Sequence, residues 1–165
     1  MAQVTPDVEK RVLELARICA ARDWSVSVAE SCTGGLLSSW ICALPGVSSF
    51  YRGGVVSYAG EVKSDILHVP KSLLRTHGEV SLPVARAMAV GARRALNSAW
   101  AVSVTGVAGP SGGTQEKPVG FVCFGVAGPG FEEASQRQFP AGGGRQDIQH
   151  QAALFAFDLL LNGMR

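Results

Sequence analysis

Residues 26–44 carry the pattern that most limits what this chain can fold into. Val26-Ser27-Val28-Ala29 reads as an apolar strand. Glu30-Ser31-Cys32-Thr33-Gly34-Gly35 follows it directly, and an apolar segment from Leu36 to Leu44 runs out until Pro45-Gly46 stops it. A strand that enters a helix through two glycines is the unit from which α/β proteins are built. The turn between them can expose a hydroxyl and aim unused backbone N–H groups at an anion or a developing oxyanion.

The same alternation continues along the chain. Thr5-Pro6 reads as an N-cap and first helical residue, with Val8, Val12, Leu15 and Cys19 on one face and an end near Asp23. Strands are predicted over Trp24–Ala29, Phe50–Tyr58, Trp100–Thr105, Val119–Val126 and Glu132–Phe139, with a possible bulge at Gly53-Gly54. Helices are predicted over Thr33–Leu44, Glu61–Leu67, Pro70–His77, from Ser81-Leu82-Pro83 onward with Ala85, Met88, Ala89, Ala92 and Leu96 inward, and over Arg145–Leu161 with Ile148, Ala152, Phe155 and Leu159 inward. Together these give a three-layer α/β/α sandwich around a mixed, mostly parallel sheet, formed by residues 1–165 as one domain. Binding sites in such folds gather at the carboxyl ends of the strands, which points to the loops at Ser31, after Tyr58 and after Thr105.

Composition narrows the class. With 165 residues, 47% apolar and 17% charged, the chain can bury a substantial core. A net charge of +2, evenly spread, argues against a nucleic-acid partner, and no apolar run reaches membrane-span length. Cys19, Cys32, Cys42 and Cys123 form no CxxC pair and have no metal-like spacing with His68, His77 or His150. Without a signal-peptide layout, they are expected to be buried thiols in a cytoplasmic protein that lacks a structural metal.

Ser31 needs a base to act as a nucleophile. His68 and His77 fall in a connecting segment and His150 lies within the last helix, so Lys63, which opens a short helix just past a strand end, is the better candidate. A lysine deprived of water can accept a hydroxyl proton. The bland alternatives are that Ser31 merely caps the following helix and that Lys63 is a solvated surface residue. Glu30 can orient a hydroxyl or pair with Lys63. Tyr58, with a free hydroxyl at a strand end, lines a pocket or serves as an ordinary aromatic. Thr105 to Gly113 is too irregular for a P-loop or a dinucleotide fingerprint, and is either a backbone nest for phosphate or a surface loop. Arg145 stands at a helix start, where a cation opposes the helix dipole. A shared anionic ligand explains that placement, and the alternative is a merely exposed arginine.

These segments together resemble the CinA C-terminal domain family, the nicotinamide-nucleotide amidases. The matching runs are Ala29-Glu30-Ser31-Cys32-Thr33-Gly34-Gly35, Pro45-Gly46, Gly53-Gly54-Val55-Val56-Ser57-Tyr58, Glu61-Val62-Lys63, His77-Gly78 with Val80-Ser81, Thr105-Gly106-Val107-Ala108-Gly109-Pro110 with Gly112-Gly113, and Glu116-Lys117-Pro118-Val119-Gly120. The resemblance implies hydrolysis of the carboxamide of nicotinamide mononucleotide to nicotinic acid mononucleotide and ammonia in pyridine-nucleotide salvage, without cofactor or metal, by a homodimer of the stand-alone form. It implies Ser31 as nucleophile, Lys63 as general base and Tyr58 as an assistant near the amide. Glu30, Thr33, Gly34, Gly35, Thr105, Gly106 and Gly109 become substrate-binding positions, with N–H groups near Cys32 to Gly34 holding the oxyanion and Arg145 taking the phosphate. Two departures stand out: Gly60 replaces a usual Asn, and Gln149 and His150 replace basic residues. They keep open a nucleotide-binding domain with impaired turnover, or a Ser–Lys hydrolase of another small amide or ester.

Overall fold

The computed structural model describes residues 4–165. Its elements in chain order are α1 (Pro6–Arg22), β1 (Val26–Glu30), α2 (Leu36–Cys42), β2 (Tyr51–Val56), α3 (Gly60–Asp65), α4 (Lys71–His77), α5 (Leu82–Ala95), β3 (Trp100–Gly106), β4 (Phe121–Gly128), β5 (Phe131–Gln138) and α6 (Gly144–Met164). The five strands form one sheet in the order β2-β1-β3-β4-β5. β1 pairs in parallel with both β2 and β3, whereas β4 runs antiparallel to β3 and to β5. Four of the five strands therefore point the same way, and the sheet is mixed as expected.

Helices cover both faces. α1, α2 and α6 enclose the larger core, built from Val8, Leu15, Val28, Leu37, Trp40, Phe124, Ile148, Phe157 and their neighbours. α5 covers the other face, where Leu67, Val69, Val84, Met88 and Ala101 form a second cluster. β1 and β3 lie between the layers and are buried almost throughout, which explains why they read as near-continuous apolar runs.

Several boundaries differ from the sequence reading. α2 begins at Leu36, not Thr33, because Gly34 and Gly35 both take positive φ and the chain must first complete a turn. Thr5 does cap α1, its side chain accepting from Val8 N, and Asp23 closes that helix in the left-handed conformation. The irregularity predicted at Gly53-Gly54 falls at Arg52, which the β1–β2 register skips between Tyr51 and Gly53. Gly54 has a packing reason, since a Cβ there would stand 2.7 Å from Val28 Cγ2 and 2.8 Å from the Tyr51 hydroxyl oxygen. Phe155 and Leu159 are only half-buried, while Ala153, Ala156, Phe157 and Leu160 are buried beside Ile148 and Ala152. α6 touches α1, α2 and the sheet at once, so no single helical face describes it. Leu96, expected inward, closes α5 half-buried. Among the described residues no helix is long and apolar enough to cross a membrane.

Candidate active site

β1 sits between two parallel neighbours that the chain reaches in opposite directions. Its carboxyl end is therefore a topological switch point, where a crevice opens between diverging loops. The loops after β1, β2 and β3 all leave this edge. β5 points the same way, so the start of α6 arrives there too. This topology brings Ser31, Tyr58, Thr105 and Arg145 together from four distant parts of the sequence.

Ser31 follows the last residue of β1 and is 8% exposed. Its N–H donates to Val104 O, which extends the β1–β3 pairing by one bond, and its carbonyl accepts from Gly34 N at 3.1 Å. Beyond it, the backbone N–H groups of Cys32 and Thr33 have no acceptor among the described residues. Gly34 and Gly35 are already committed, so the free donors predicted around Cys32 to Gly34 reduce to these two. Thr33 Oγ1 is also buried without a partner. Two free amides and an orphan hydroxyl next to a nucleophile form a set of unspent donors of the kind an oxyanion needs.

Lys63 is completely buried. Its Nζ is 3.3 Å from Ser31 Oγ, 2.9 Å from Ser57 O, 3.2 Å from Tyr58 O and 2.9 Å from Glu79 Oε2. An ammonium has three hydrogens and here meets four neighbours. Three of them, two carbonyls and a carboxylate, can only accept. Ser31 is the sole neighbour with a proton to give, so a lone pair on Nζ can be met only by the Ser31 hydroxyl. The placement suits transfer of the serine proton to the amine.

Glu30 is fully buried but does not reach Lys63 or Ser31 Oγ. Its carboxylate accepts from Gly35 N, Leu37 N and Ser38 N at 2.9–3.1 Å, and from Ser38 Oγ at 2.8 Å. It therefore caps α2 from the preceding strand, where charge and helix dipole agree. The expected Glu30–Lys63 pair is replaced by Lys63–Glu79, at 2.9 Å. Glu79 is the residue that sequence reasoning missed. It stands between His77-Gly78 and Val80-Ser81, and no spacing in the sequence singled it out.

Tyr58, expected to carry a free hydroxyl, accepts from Arg145 Nη2 at 3.0 Å, while Arg145 Nη1 donates to Gly109 O at 2.7 Å. Arg145 thus bridges the β2 loop and the glycine-rich loop across the mouth of the crevice, and among the described residues it pairs with no carboxylate. Thr105 is 1% exposed and its hydroxyl donates to Glu79 O at 3.0 Å, so that hydroxyl is engaged by the segment carrying Glu79. Gly106 ends β3, packed so closely on β4 that a Cβ would meet Phe121 O at 2.9 Å.

The two positions that departed from the expected basic pattern also have partners. Gln149 Nε2 donates to Cys32 O at 2.8 Å, and His150 packs edge-on against Trp40 with ring centroids 4.9 Å apart. Burial pushes the Cys32 thiol up to about 12, so this neighbour of Ser31 stays protonated and is no competing nucleophile. All four cysteines are free thiols, and Cys42, contrary to expectation, is exposed. Among the described residues no group of His, Cys, Asp and Glu is arranged to hold a metal ion.

Comparison with known proteins gives the family and the fold. Residues 8–164 match the CinA C-terminal domain. The chain is 50% identical over 153 residues to a CinA-like protein of an Anaeromyxobacter species, covering 93% of this chain and 37% of that protein. It thus spans little more than a third of the length of that curated relative. Among solved structures, the competence/damage inducible protein CihA from Agrobacterium tumefaciens superposes with a TM-score of 0.93 at 33% identity, covering 98% of this chain and 99% of that one. A CinA superfamily protein from Klebsiella pneumoniae gives 0.89 at 32% identity, covering 95% and 97%.

Proposed function

The chain belongs to the CinA C-terminal domain family, and from that premise we propose that it hydrolyses the carboxamide of nicotinamide mononucleotide through a Ser31–Lys63 pair. The observation that carries this reading is the buried amine of Lys63, 3.3 Å from Ser31 Oγ and surrounded otherwise by groups that can only accept.

The chemistry runs in two halves. Ser31 Oγ bonds to the amide carbon as its proton passes to Lys63 Nζ, and the carbonyl electron pair moves onto oxygen. The N–H groups of Cys32 and Thr33 are the donors available to that oxyanion. Collapse breaks the C–N bond, and the proton on Nζ goes to the departing nitrogen, which leaves as ammonia. Water then attacks the nicotinoyl ester, again giving its proton to Nζ, and Ser31 recovers that proton as the acid is released. Arg145, without a carboxylate partner and poised at the crevice mouth, is the group available to the substrate phosphate, with Tyr58 beside it.

The test is ammonia release from nicotinamide mononucleotide by the wild type, Ser31→Ala and Lys63→Ala. Activity in the wild type alone is expected. Equal rates in all three would end the mechanism. Calorimetric binding of the mononucleotide without ammonia would favour a binding domain, and turnover of unphosphorylated amides that survives Arg145→Ala would favour a different amide substrate.

A further inference from the structure

Lys63 has a carboxylate partner, Glu79, that packs against Gly60 at the start of the short helix carrying Lys63. Glu79 Oε2 lies 2.9 Å from Lys63 Nζ, and its other carboxylate oxygen faces Gly60. A Cβ built on Gly60 would stand 2.8 Å from Glu79 Oε1 and 3.1 Å from Cδ, so any side chain at position 60 must displace the carboxylate. The backbone carrying Glu79 is fixed from several sides. Thr105 Oγ1 donates to Glu79 O at 3.0 Å, Ser81 Oγ donates to Gly78 O at 3.1 Å, and Lys117 Nζ donates to His77 O at 2.9 Å. The Lys63 side chain is 1% exposed and that of Glu79 is 49% exposed, so the pair lies where buried site meets solvent.

We infer that Glu79 is a positioning residue for Lys63, and that Gly60 and Glu79 work as a matched pair in which the missing side chain admits the carboxylate. The inference rests on the Ser31–Lys63 reading. A base held by a third group is the general logic of nucleophile activation, and here the order is Ser31, Lys63, Glu79. When Nζ takes the Ser31 proton it becomes an ammonium in a buried site. The Glu79 carboxylate accepts a hydrogen bond from that ammonium and offsets its charge. When the ammonium gives the proton to the leaving nitrogen, the same contact keeps Nζ in line with Oγ. No other bond changes at Glu79. An amide side chain introduced at position 60 would occupy the room that Glu79 fills here.

The experiment compares the wild type with Glu79→Gln, Glu79→Ala, Gly60→Ala and the double variant Glu79→Ala/Gly60→Ala, and adds Gly60→Asn in the Glu79→Ala chain. Two rates are read: ammonia release from nicotinamide mononucleotide, and labelling of Ser31 by a fluorophosphonate followed by mass spectrometry. Glu79→Ala and Gly60→Ala are each expected to slow both rates by about 10- to 100-fold, as for loss of a charged hydrogen bond, with KM unchanged. The double variant is no slower than the singles, because both remove the same contact. Gly60→Asn restores part of the rate lost in Glu79→Ala. Gly60→Ala replaces a helical glycine without positive φ, so its backbone accepts the change and its Tm falls no further than that of Glu79→Ala. Glu79→Gln, close in shape, serves if an alanine variant fails to fold.

Wild-type rates in Glu79→Ala and Glu79→Gln, or losses that multiply in the double variant, overturn the inference. If the wild type releases no ammonia while Ser31 labelling follows the expected order, the substrate reading falls and the role of Glu79 stands. If wild-type Ser31 does not label at all, both fall.

Discussion

Two charged side chains are buried within a few ångströms of the same turn, and the fold treats them in opposite ways. Glu30 is closed: three backbone N–H groups and one hydroxyl satisfy its carboxylate, all from the α2 entry that it caps. Lys63 is open: four groups surround one amine that can donate to only three, and one of the four is a hydroxyl able to reverse the bond. Burial alone does not separate a structural charge from a chemical one, for both are fully buried. The balance of donors and acceptors does. A group whose partners match its valences holds a structure, and a group with one partner too many has a contact to exchange.

The largest effect that tests this contrast is Lys63→Met. It is expected to lower ammonia release by roughly a thousandfold, the scale of general-base catalysis, with a smaller loss of stability than Glu30→Gln because the Glu79 carboxylate left behind is half-exposed and can be hydrated. Glu30→Gln should behave in the reverse manner. It leaves backbone donors facing an amide in place of a carboxylate and is expected to cost about 3–5 kcal/mol in chemical denaturation. Activity in Glu30→Gln would then follow the folded fraction. If Lys63→Met destabilised the protein as much as Glu30→Gln, the two charges would be the same kind of group and the contrast would break.

Arg145→Ala comes next. The guanidinium near the start of α6 works against the helix dipole, a local cost of about 0.3–1 kcal/mol. Among the described residues it is tethered only by neutral acceptors, Gly109 O and the Tyr58 hydroxyl. Its removal should raise KM for the mononucleotide about 10- to 100-fold, the worth of a charged hydrogen bond, with kcat changed much less and Tm unchanged. A fall in kcat at constant KM would move Arg145 from phosphate to chemistry.

What was readable in the sequence follows from how local each feature is. Strand positions, the Thr5 cap and the two glycines before α2 depend on near neighbours, so composition and spacing place them. The Ser31–Lys63 proximity was legible because each residue sits at a loop that the α/β pattern sends to one edge of the sheet. Glu79 was not, because its carboxylate reaches Lys63 through a contact that depends on absent bulk at Gly60, and no spacing rule encodes an absence. Glu30 was misread for a related reason. Its sequence neighbour is Ser31, but in a strand adjacent side chains point to opposite faces, and Glu30 turns toward α2.

The smallest effect concerns the back of the turn. Gln149 Nε2 holds Cys32 O at 2.8 Å. That carbonyl belongs to the same planar peptide as the Thr33 N–H, so fixing the oxygen on one side fixes the direction of the donor on the other. Gln149 thereby aims one of the two free amides near Ser31 from α6, without touching a ligand. Gln149→Ala should lower kcat a few-fold with KM unchanged, and cost about 0.5–1.5 kcal/mol of stability for one hydrogen bond. Gln149→Glu, which replaces the donor with a carboxylate facing a carbonyl, should lower kcat further. Water can partly replace the lost amide in the alanine variant, whereas repulsion from the carboxylate turns the peptide away. Unchanged kcat in both variants would mean that β1 and the Gly34–Ser31 bond hold the peptide without help, and the oxyanion donors would then belong to the strand-turn unit alone.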